Sequence, residues 1–339
     1  MRRGTKMTEQ NCKILIKTKN LRKYFPVTKG FMKRVTGYVK AVDGIDMYVK
    51  KGETLGIVGE SGCGKTTLGK CLVRLHKLNK DEIFFRMDDG KMKDLYSLNK
   101  IESFRIRRRI QMIFQDPYSS LNPMKNIFNA FDEPLKIHGL GNKKTRLQIM
   151  REMLEVVGLQ ADHIYRYPHE FSGGQCQRIC IARALSLKPE IIICDEPVSA
   201  LDVSVQAQVL NLMKSLQKQY NLTYVFIAHD LGVVQYMSDR VAVMYLGKVV
   251  ELLDSEKLCF SCIHPYTKAL ISAVPSPIIG AKKNRIVLKG DVPSPVNPPS
   301  GCYFHPRCPK EMDICREKEP KFKAVKDSSK HFVACYLVE

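Results

Sequence analysis

Short, nearly continuous apolar runs punctuate this chain at intervals. Leu55-Gly56-Ile57-Val58, Ile110-Gln111-Met112-Ile113-Phe114, Ile191-Ile192-Ile193-Cys194 and Tyr224-Val225-Phe226-Ile227-Ala228 are the clearest. Runs of this length predict strands buried on both faces, as in a parallel sheet. Ile14-Leu15-Ile16 and the alternating positions from Val39 to Val49 predict a small, mostly antiparallel sheet instead, closed by a turn at Lys51-Gly52. Val241 to Leu246 and Val249 to Leu252 flank Gly247-Lys248 and predict a hairpin. Helices are expected over Leu68 to Leu75, Gln177 to Leu187 and Val205 to Tyr220. Leu147, Met150, Met153, Leu154 and Val157 follow helical spacing, with charge on the other face, so Asn126 to His169 reads as a helical insertion. Strands that alternate with helices place the chain in the α/β class.

The chemistry sits at the ends of the predicted strands. Gly59-Glu60-Ser61-Gly62-Cys63-Gly64-Lys65-Thr66-Thr67 follows the first buried strand and precedes a helix. It fits the phosphate-loop pattern G-x-x-x-x-G-K-S/T in the strand–loop–helix setting that the pattern requires. Glycines let successive N–H groups turn toward an anion, and the helix N-terminus adds partial positive charge. Lys65 supplies a point charge for the outer phosphates, and the Thr66 hydroxyl can ligate Mg²⁺. Gln115 and Asp195-Glu196 each end a buried strand, where open α/β sheets bind ligands. Adjacent carboxylates can divide two tasks, one holding Mg²⁺ and one deprotonating water. His229 also ends a strand and can hydrogen-bond a terminal phosphate. Ser172-Gly173-Gly174-Gln175 opens a helix; it reads as a second phosphate contact or as a simple capped start. Tyr24 or Phe25 could stack on a base or only pack in the sheet.

Composition narrows the setting. The 339 residues are 44% hydrophobic, enough for a substantial core, and no apolar stretch approaches the ~18 residues of a membrane span. Met1 to Lys13 is polar and basic without an apolar signal region, so a cytoplasmic chain is expected. Its twelve cysteines then read as reduced thiols or metal ligands. A net charge of +21, with local clusters at Lys29 to Lys40 and Arg105 to Arg109, favours anionic surroundings or simply a solvated basic surface.

Taken together, the motifs resemble the ATP-binding cassette (ABC) ATPase family over about Ile14 to Asp254. The resemblance runs in order: Walker A at Gly59 to Thr66, Q-loop at Gln115, signature at Ser172 to Gln175, Walker B at Ile191 to Asp195, catalytic Glu196, D-loop at Ser199 to Asp202 and switch His229. The signature is preceded by Phe171 where many members have Leu. The resemblance implies a P-loop core with a parallel sheet, an N-terminal antiparallel subdomain and a helical signature subdomain at about 116–176. It implies that two cassettes sandwich ATP. In each, Lys65 holds the β- and γ-phosphates, Thr66 and Asp195 serve Mg²⁺, and Gln115 senses metal and water. Glu196 is the base, His229 contacts the γ-phosphate, Phe25 or Tyr24 meets the base, and Ser172 and Gly174 serve the partner's nucleotide.

A narrower likeness, to the ATPases of oligopeptide and dipeptide importers, rests on Gln115-Asp116-Pro117-Tyr118-Ser119-Ser120-Leu121-Asn122-Pro123. His264-Pro265-Tyr266-Thr267-Lys268-Ala269-Leu270 and Gly301-Cys302-Tyr303-Phe304-His305-Pro306-Arg307-Cys308-Pro309 add to it. The insert from Thr28 to Tyr38 favours the F-type subunit. This likeness implies a second ABC ATPase, two transmembrane permease subunits and an extracytoplasmic substrate-binding protein as partners, at the cytoplasmic face of the membrane. Nickel importers share the pattern. A soluble ABC ATPase that acts on nucleic acid or ribosomes usually carries two cassettes or a coiled coil; this chain shows neither, and no nucleic-acid partner is expected.

The expected organisation is a polar tail over 1–13, a cassette over 14–258 and a C-terminal extension over 259–339. The extension includes a proline-rich linker from Pro275 to Pro299 and carries Cys302, Cys308, Cys315 and Cys335. Four soft thiolates in a small segment can hold an iron–sulfur cluster or zinc. The importer resemblance points to a 4Fe–4S cluster. Cys259 and Cys262 read as incidental, and Cys63, Cys71, Cys176, Cys180 and Cys194 as small apolar packers.

Overall fold

The computed structural model describes residues 14–30, 34–78, 82–274, 285–326, 328 and 330–338. The tail expected over 1–13, the centre of the insert at 31–33 and the start of the linker at 275–284 lie outside the described residues. In chain order the elements are β1 (Ile14–Lys29), β2 (Arg34–Lys50), β3 (Thr54–Val58), α1 (Lys65–Leu72), β4 (Ile83–Arg86), β5 (Met92–Asp94), α2 (Lys100–Arg109) and β6 (Ile110–Ile113). There follow α3 (Ile127–Ile137), α4 (Lys143–Val156), α5 (Gly173–Ser186), β7 (Ile191–Asp195), α6 (Val203–Tyr220) and β8 (Thr223–Ile227). The chain continues through α7 (Leu231–Met237), β9 (Arg240–Tyr245), β10 (Lys248–Asp254), α8 (Pro265–Ala273), α9 (Asp313–Glu317), β11 (Lys323–Ala324) and β12 (Phe332–Val333). These elements fall into two compact units.

The first unit takes residues up to 49, 54–97 and 227 onward. One of its sheets has the order β2-β1-β4-β5. In it β1 runs antiparallel to β4, with Ile16 opposite Phe85, and β4 antiparallel to β5. The first strand is far longer than Ile14 to Ile16. Leu15, Ile16, Thr18 and Leu21 are buried along it, and Thr18 Oγ1 donates to Ile45 O at 2.9 Å, so a polar position in the pattern still faces inward. A second set of strands is ordered β11-β12-β10-β9-β3. Here β3 lies parallel to β9 and is buried along its whole length, while β9 and β10 form the expected hairpin. Its turn is Leu246-Gly247, both at positive φ, one residue earlier than the sequence suggests. Two positive φ values match the right-handed twist of paired strands.

The C-terminal extension belongs to this unit and borrows its core. Phe304 is buried, with its ring centroid 5.3 Å from that of Tyr245 and 5.4 Å from that of Tyr266. From the linker, Pro295 O accepts from Lys40 N of β2 at 3.0 Å.

The second unit takes residues 50–53 and 98–226. Strands β6, β7 and β8 lie in that order, with β6 parallel to β7 in a register that sets Ile110 opposite Ile191 and Ile113 opposite Cys194. The helical insertion carries two capped α-helices, followed by short 3-10 turns at Ala161–Tyr165 and Pro168–Glu170. Asn126 accepts from Asn129 N and Asn142 from Thr145 N, and each satisfies an otherwise unpaired N–H. Ile127, Phe131 and Leu135, four residues apart, are fully buried on α3, as are Met150 and Leu154 on α4. Each such side chain contributes about 2 kcal/mol by leaving water.

Candidate functional site

In the first unit, a buried strand delivers the chain into the phosphate loop. β3 ends at Val58 and α1 starts at Lys65, three residues before the expected helix start at Leu68. The helix begins as soon as Gly64 turns. Gly64 has φ 103°, and a Cβ there would lie 1.9 Å from Ala41 O, so only glycine fits. No side chain caps α1, as suits a helix start that faces an anion. Lys65 is buried; its Nζ donates to Gly59 O at 2.8 Å and to Glu60 O at 3.0 Å, so the loop's own carbonyls hold the charge over the loop. Cys63 is buried beside it, and burial pushes its thiol up despite Lys65, as suits a neutral packer. Ser61 and Gly62 are exposed, and Thr66 and Thr67 are half-buried in the first turn of α1.

Two further predicted residues lie in this unit. Ala228 N donates to Ile57 O at 3.2 Å, which sets His229 one residue beyond the pairing with β3, at the end from which the phosphate loop departs. His229 is exposed, and the following Asp230 accepts from Gly232 N at 2.7 Å. Tyr24 and Phe25 are now distinguished. Tyr24 donates its hydroxyl to Asp43, and burial together with that carboxylate pushes it up to about 12. Phe25 has no such duty; its half-exposed ring meets His76 edge-on at 5.2 Å between centroids.

In the second unit, strand register explains a contact 81 residues apart in sequence. Ile113 of β6 lies opposite Cys194 of β7, so Gln115 and Glu196, each two residues further, emerge side by side. Gln115 Nε2 donates to Glu196 Oε2 at 3.2 Å. Asp195 is 3% exposed at the end of β7. Glu196 has φ 45°, a left-handed conformation that costs a non-glycine residue about 1 kcal/mol. Ser199 stabilises it by donating N–H and Oγ to Glu196 O, at 3.3 and 3.0 Å.

The signature stretch also lies in this unit. α5 starts at Gly173, at the cap expected of Ser172 and four residues before the apolar rhythm at Gln177, and a capping box fixes that start. Ser172 Oγ accepts from Gln175 N at 3.3 Å while Gln175 Oε1 accepts from Ser172 N at 3.0 Å. Gly174 has a packing reason beyond any ligand: a Cβ there would fall 2.4 Å from Val205 Cγ1 on α6.

The predicted packers Cys63, Cys71, Cys176, Cys180 and Cys194 are all buried, and Cys259 is exposed. Cys302, Cys308, Cys315 and Cys335 line one narrow pocket of the extension with His264, His305 and Met312. Burial and the neighbouring thiols push Cys302 up to about 12 and raise Cys308 and Cys335. Donor number and softness fit a thiolate-bound metal centre. Among the described residues, however, no group of three or more His, Cys, Asp or Glu stands at metal-binding spacing.

One pairing escaped the sequence reading. Glu60, the second residue of the phosphate loop, accepts from Arg307 of the extension at 2.8 and 3.2 Å, and its N–H donates to Tyr266 Oη at 2.9 Å. Arg307 lies in a stretch singled out for other reasons, and a separation of 247 residues carries no periodic signal.

A phosphate loop, paired carboxylates and a capped glycine signature on this α/β frame define an ABC-type ATPase. The family profile described as "ABC transporter" matches residues 42–199, and that described as "Oligopeptide/dipeptide transporter, C-terminal region" matches residues 250–315. The chain belongs to the ABC transporter family, in the branch of oligopeptide and dipeptide transport ATP-binding proteins. It is 52% identical to the oligopeptide transport ATP-binding protein AppF of Bacillus subtilis, over 98% of this chain and 99% of that protein. The dipeptide transport ATP-binding protein DppF of Haemophilus influenzae is 46% identical, over 96% and 97% of the two chains. A solved ATP-binding cassette, dimeric in a post-hydrolysis state with ADP and Pi, is similar with TM-score 0.61 and 28% identity, over 71% of this chain and 99% of that one. Among the described residues no helix is long and apolar enough to cross a membrane.

Proposed function

We propose that this chain is the F-type ATPase subunit that energises import of oligopeptides or dipeptides through a membrane transporter. The observation that carries the reading is the near end-to-end identity to AppF, which extends through the C-terminal region as well as the cassette. The chain then works at the cytoplasmic face, with a second ABC ATPase, two permease subunits and an extracytoplasmic binding protein. Its organisation is a cassette over 14–258 and an extension over 259–339.

Under this reading Lys65 neutralises the β- and γ-phosphates, with Gly59, Gly62 and Gly64 shaping the loop around them. Thr66 and Asp195 are the residues that would hold Mg²⁺, which would supply charge neutralisation at the phosphates. Glu196 takes a proton from the attacking water, and Gln115, hydrogen-bonded to it, orients that carboxylate. His229 donates to the γ-phosphate, Phe25 stacks on the base, and Ser172 to Gln175 serve the partner cassette's nucleotide. Purification of the tagged chain from membranes in mild detergent tests this. Two multi-spanning proteins and a second ATPase should co-purify; recovery with ribosomes or nucleic acid instead would contradict it.

Cys302, Cys308, Cys315 and Cys335 are the residues that would hold a 4Fe–4S cluster, a cross-link for a segment with little core of its own. Cys308→Ser should lower bound iron and the visible absorbance of the purified chain while ATP still binds. Iron content unchanged by the substitution, or zinc in place of iron, would overturn the cluster.

A further inference from the structure

The phosphate loop carries a carboxylate where it must receive a polyanion. Glu60 follows Gly59 directly, and its backbone carbonyl is one of the two loop carbonyls that hold Lys65. A bare negative charge at that position would repel the incoming phosphates. The structure shows how it is answered. Arg307 Nη1 and Nη2 donate to the two carboxylate oxygens of Glu60 at 2.8 and 3.2 Å, a two-pronged geometry that only guanidinium supplies. The pair is sheltered, with the Arg307 side chain 9% exposed and that of Glu60 26% exposed. Arg307 also lies 6.0 Å from the centroid of Tyr245, and Tyr266 Oη accepts from Glu60 N at 2.9 Å. The C-terminal segment therefore grips one loop residue by side chain and backbone at once. Arg307 itself sits directly before Cys308, between two of the thiols that line the extension's pocket.

We propose that Arg307 is a positioning residue of the nucleotide site: it supplies the counter-charge to Glu60, so that ATP meets a neutral loop edge, and it makes the C-terminal extension part of the ATP-binding apparatus. A mere tether would predict that any disruption of the pair weakens the site. A counter-charge predicts that the harm comes from the orphaned carboxylate and disappears with it.

Equilibrium binding of ATP to the full-length chain, with thermal unfolding followed in parallel, separates these. Arg307→Gln keeps a hydrogen-bonding side chain but removes the charge, and should weaken ATP binding about tenfold at low salt, less at high salt. Arg307→Lys should stay within about threefold of wild type, because charge is kept and only the second prong is lost. The double variant Glu60→Gln/Arg307→Gln should return to within about threefold of wild type, a coupling that a tether would not give. Binding by Arg307→Gln equal to wild type would overturn the proposal, as would a double variant as weak as the single one. Should Arg307→Gln fail to fold, the double variant carries the test alone: near-normal binding supports the counter-charge and tenfold-weaker binding refutes it. The inference rests on ATP occupying the phosphate loop. Absence of binding by the wild-type chain would overturn both readings, and binding indifferent to Arg307 only this one.

Discussion

Glu196 is held by three separate constraints: the end of a buried strand, a left-handed turn fastened by Ser199, and a hydrogen bond from Gln115. A carboxylate so restrained is suited to general-base work, where position matters as much as basicity. Glu196→Gln keeps the shape and the hydrogen-bond reach but cannot accept the proton. Single-turnover hydrolysis should fall by at least about a hundredfold while ATP binding persists; near-normal turnover would remove Glu196 from the role. The individual residues at this site were legible because each sits beside a run of unmistakable pattern. Lys65 follows a glycine loop, and Asp195 and Glu196 follow four apolar residues. Their mutual contacts were less so. The Gln115–Glu196 bond depends on the register of two parallel strands, which no local pattern encodes.

Among the elements, α5 shows why a helix start is better read from its cap than from its apolar rhythm. The apolar rhythm begins at Gln177, yet the helix begins four residues earlier, because Ser172 and Gln175 cap each other across two glycines that are poor helix formers. A capping box outweighs the cost of the glycines, and Gly174 is needed for the approach of Val205. Ser172→Ala should destabilise the protein by about 1 kcal/mol in urea unfolding, through the lost cap. No change in stability would mean that the hydroxyl's cap is worth nothing. β1 shows the reverse problem. Only its first residues carry a clear apolar run, while its extension to Lys29 is decided by tertiary pairing and by the inward-facing hydroxyl of Thr18. β3, β7 and β8 gave themselves away because burial on both faces confines polar residues to the strand ends, at Thr54, Asp195 and Thr223.

At the scale of the molecule, the extension is fastened to the phosphate-loop unit through aromatic packing and the Arg307–Glu60 pair, and its helix α8 is capped by a buried histidine. His264 is 1% exposed and accepts from Tyr266 N at 3.2 Å through Nδ1, which requires that nitrogen to be unprotonated. Burial lowers its pKa to about 4, against partial opposition from Glu251. The unfolded chain, with an ordinary histidine near 6.5, therefore binds the proton first as pH falls. Stability should be insensitive to this group above about pH 7 and should decline between about pH 6.5 and 4, by about 3 kcal/mol in all. His264→Asn, which retains a capping oxygen, should flatten that decline in urea midpoints measured at pH 7 and 5. An equal decline in the variant would assign the acid sensitivity elsewhere.

The most direct measurement of the account is uptake of a labelled peptide by cells that lack the chromosomal gene and carry either the wild-type chain or Glu196→Gln. The account predicts that wild type restores uptake and that the variant, present in equal amount, does not. Peptide uptake that is the same without the chain as with it, or that Glu196→Gln supports fully, would contradict it.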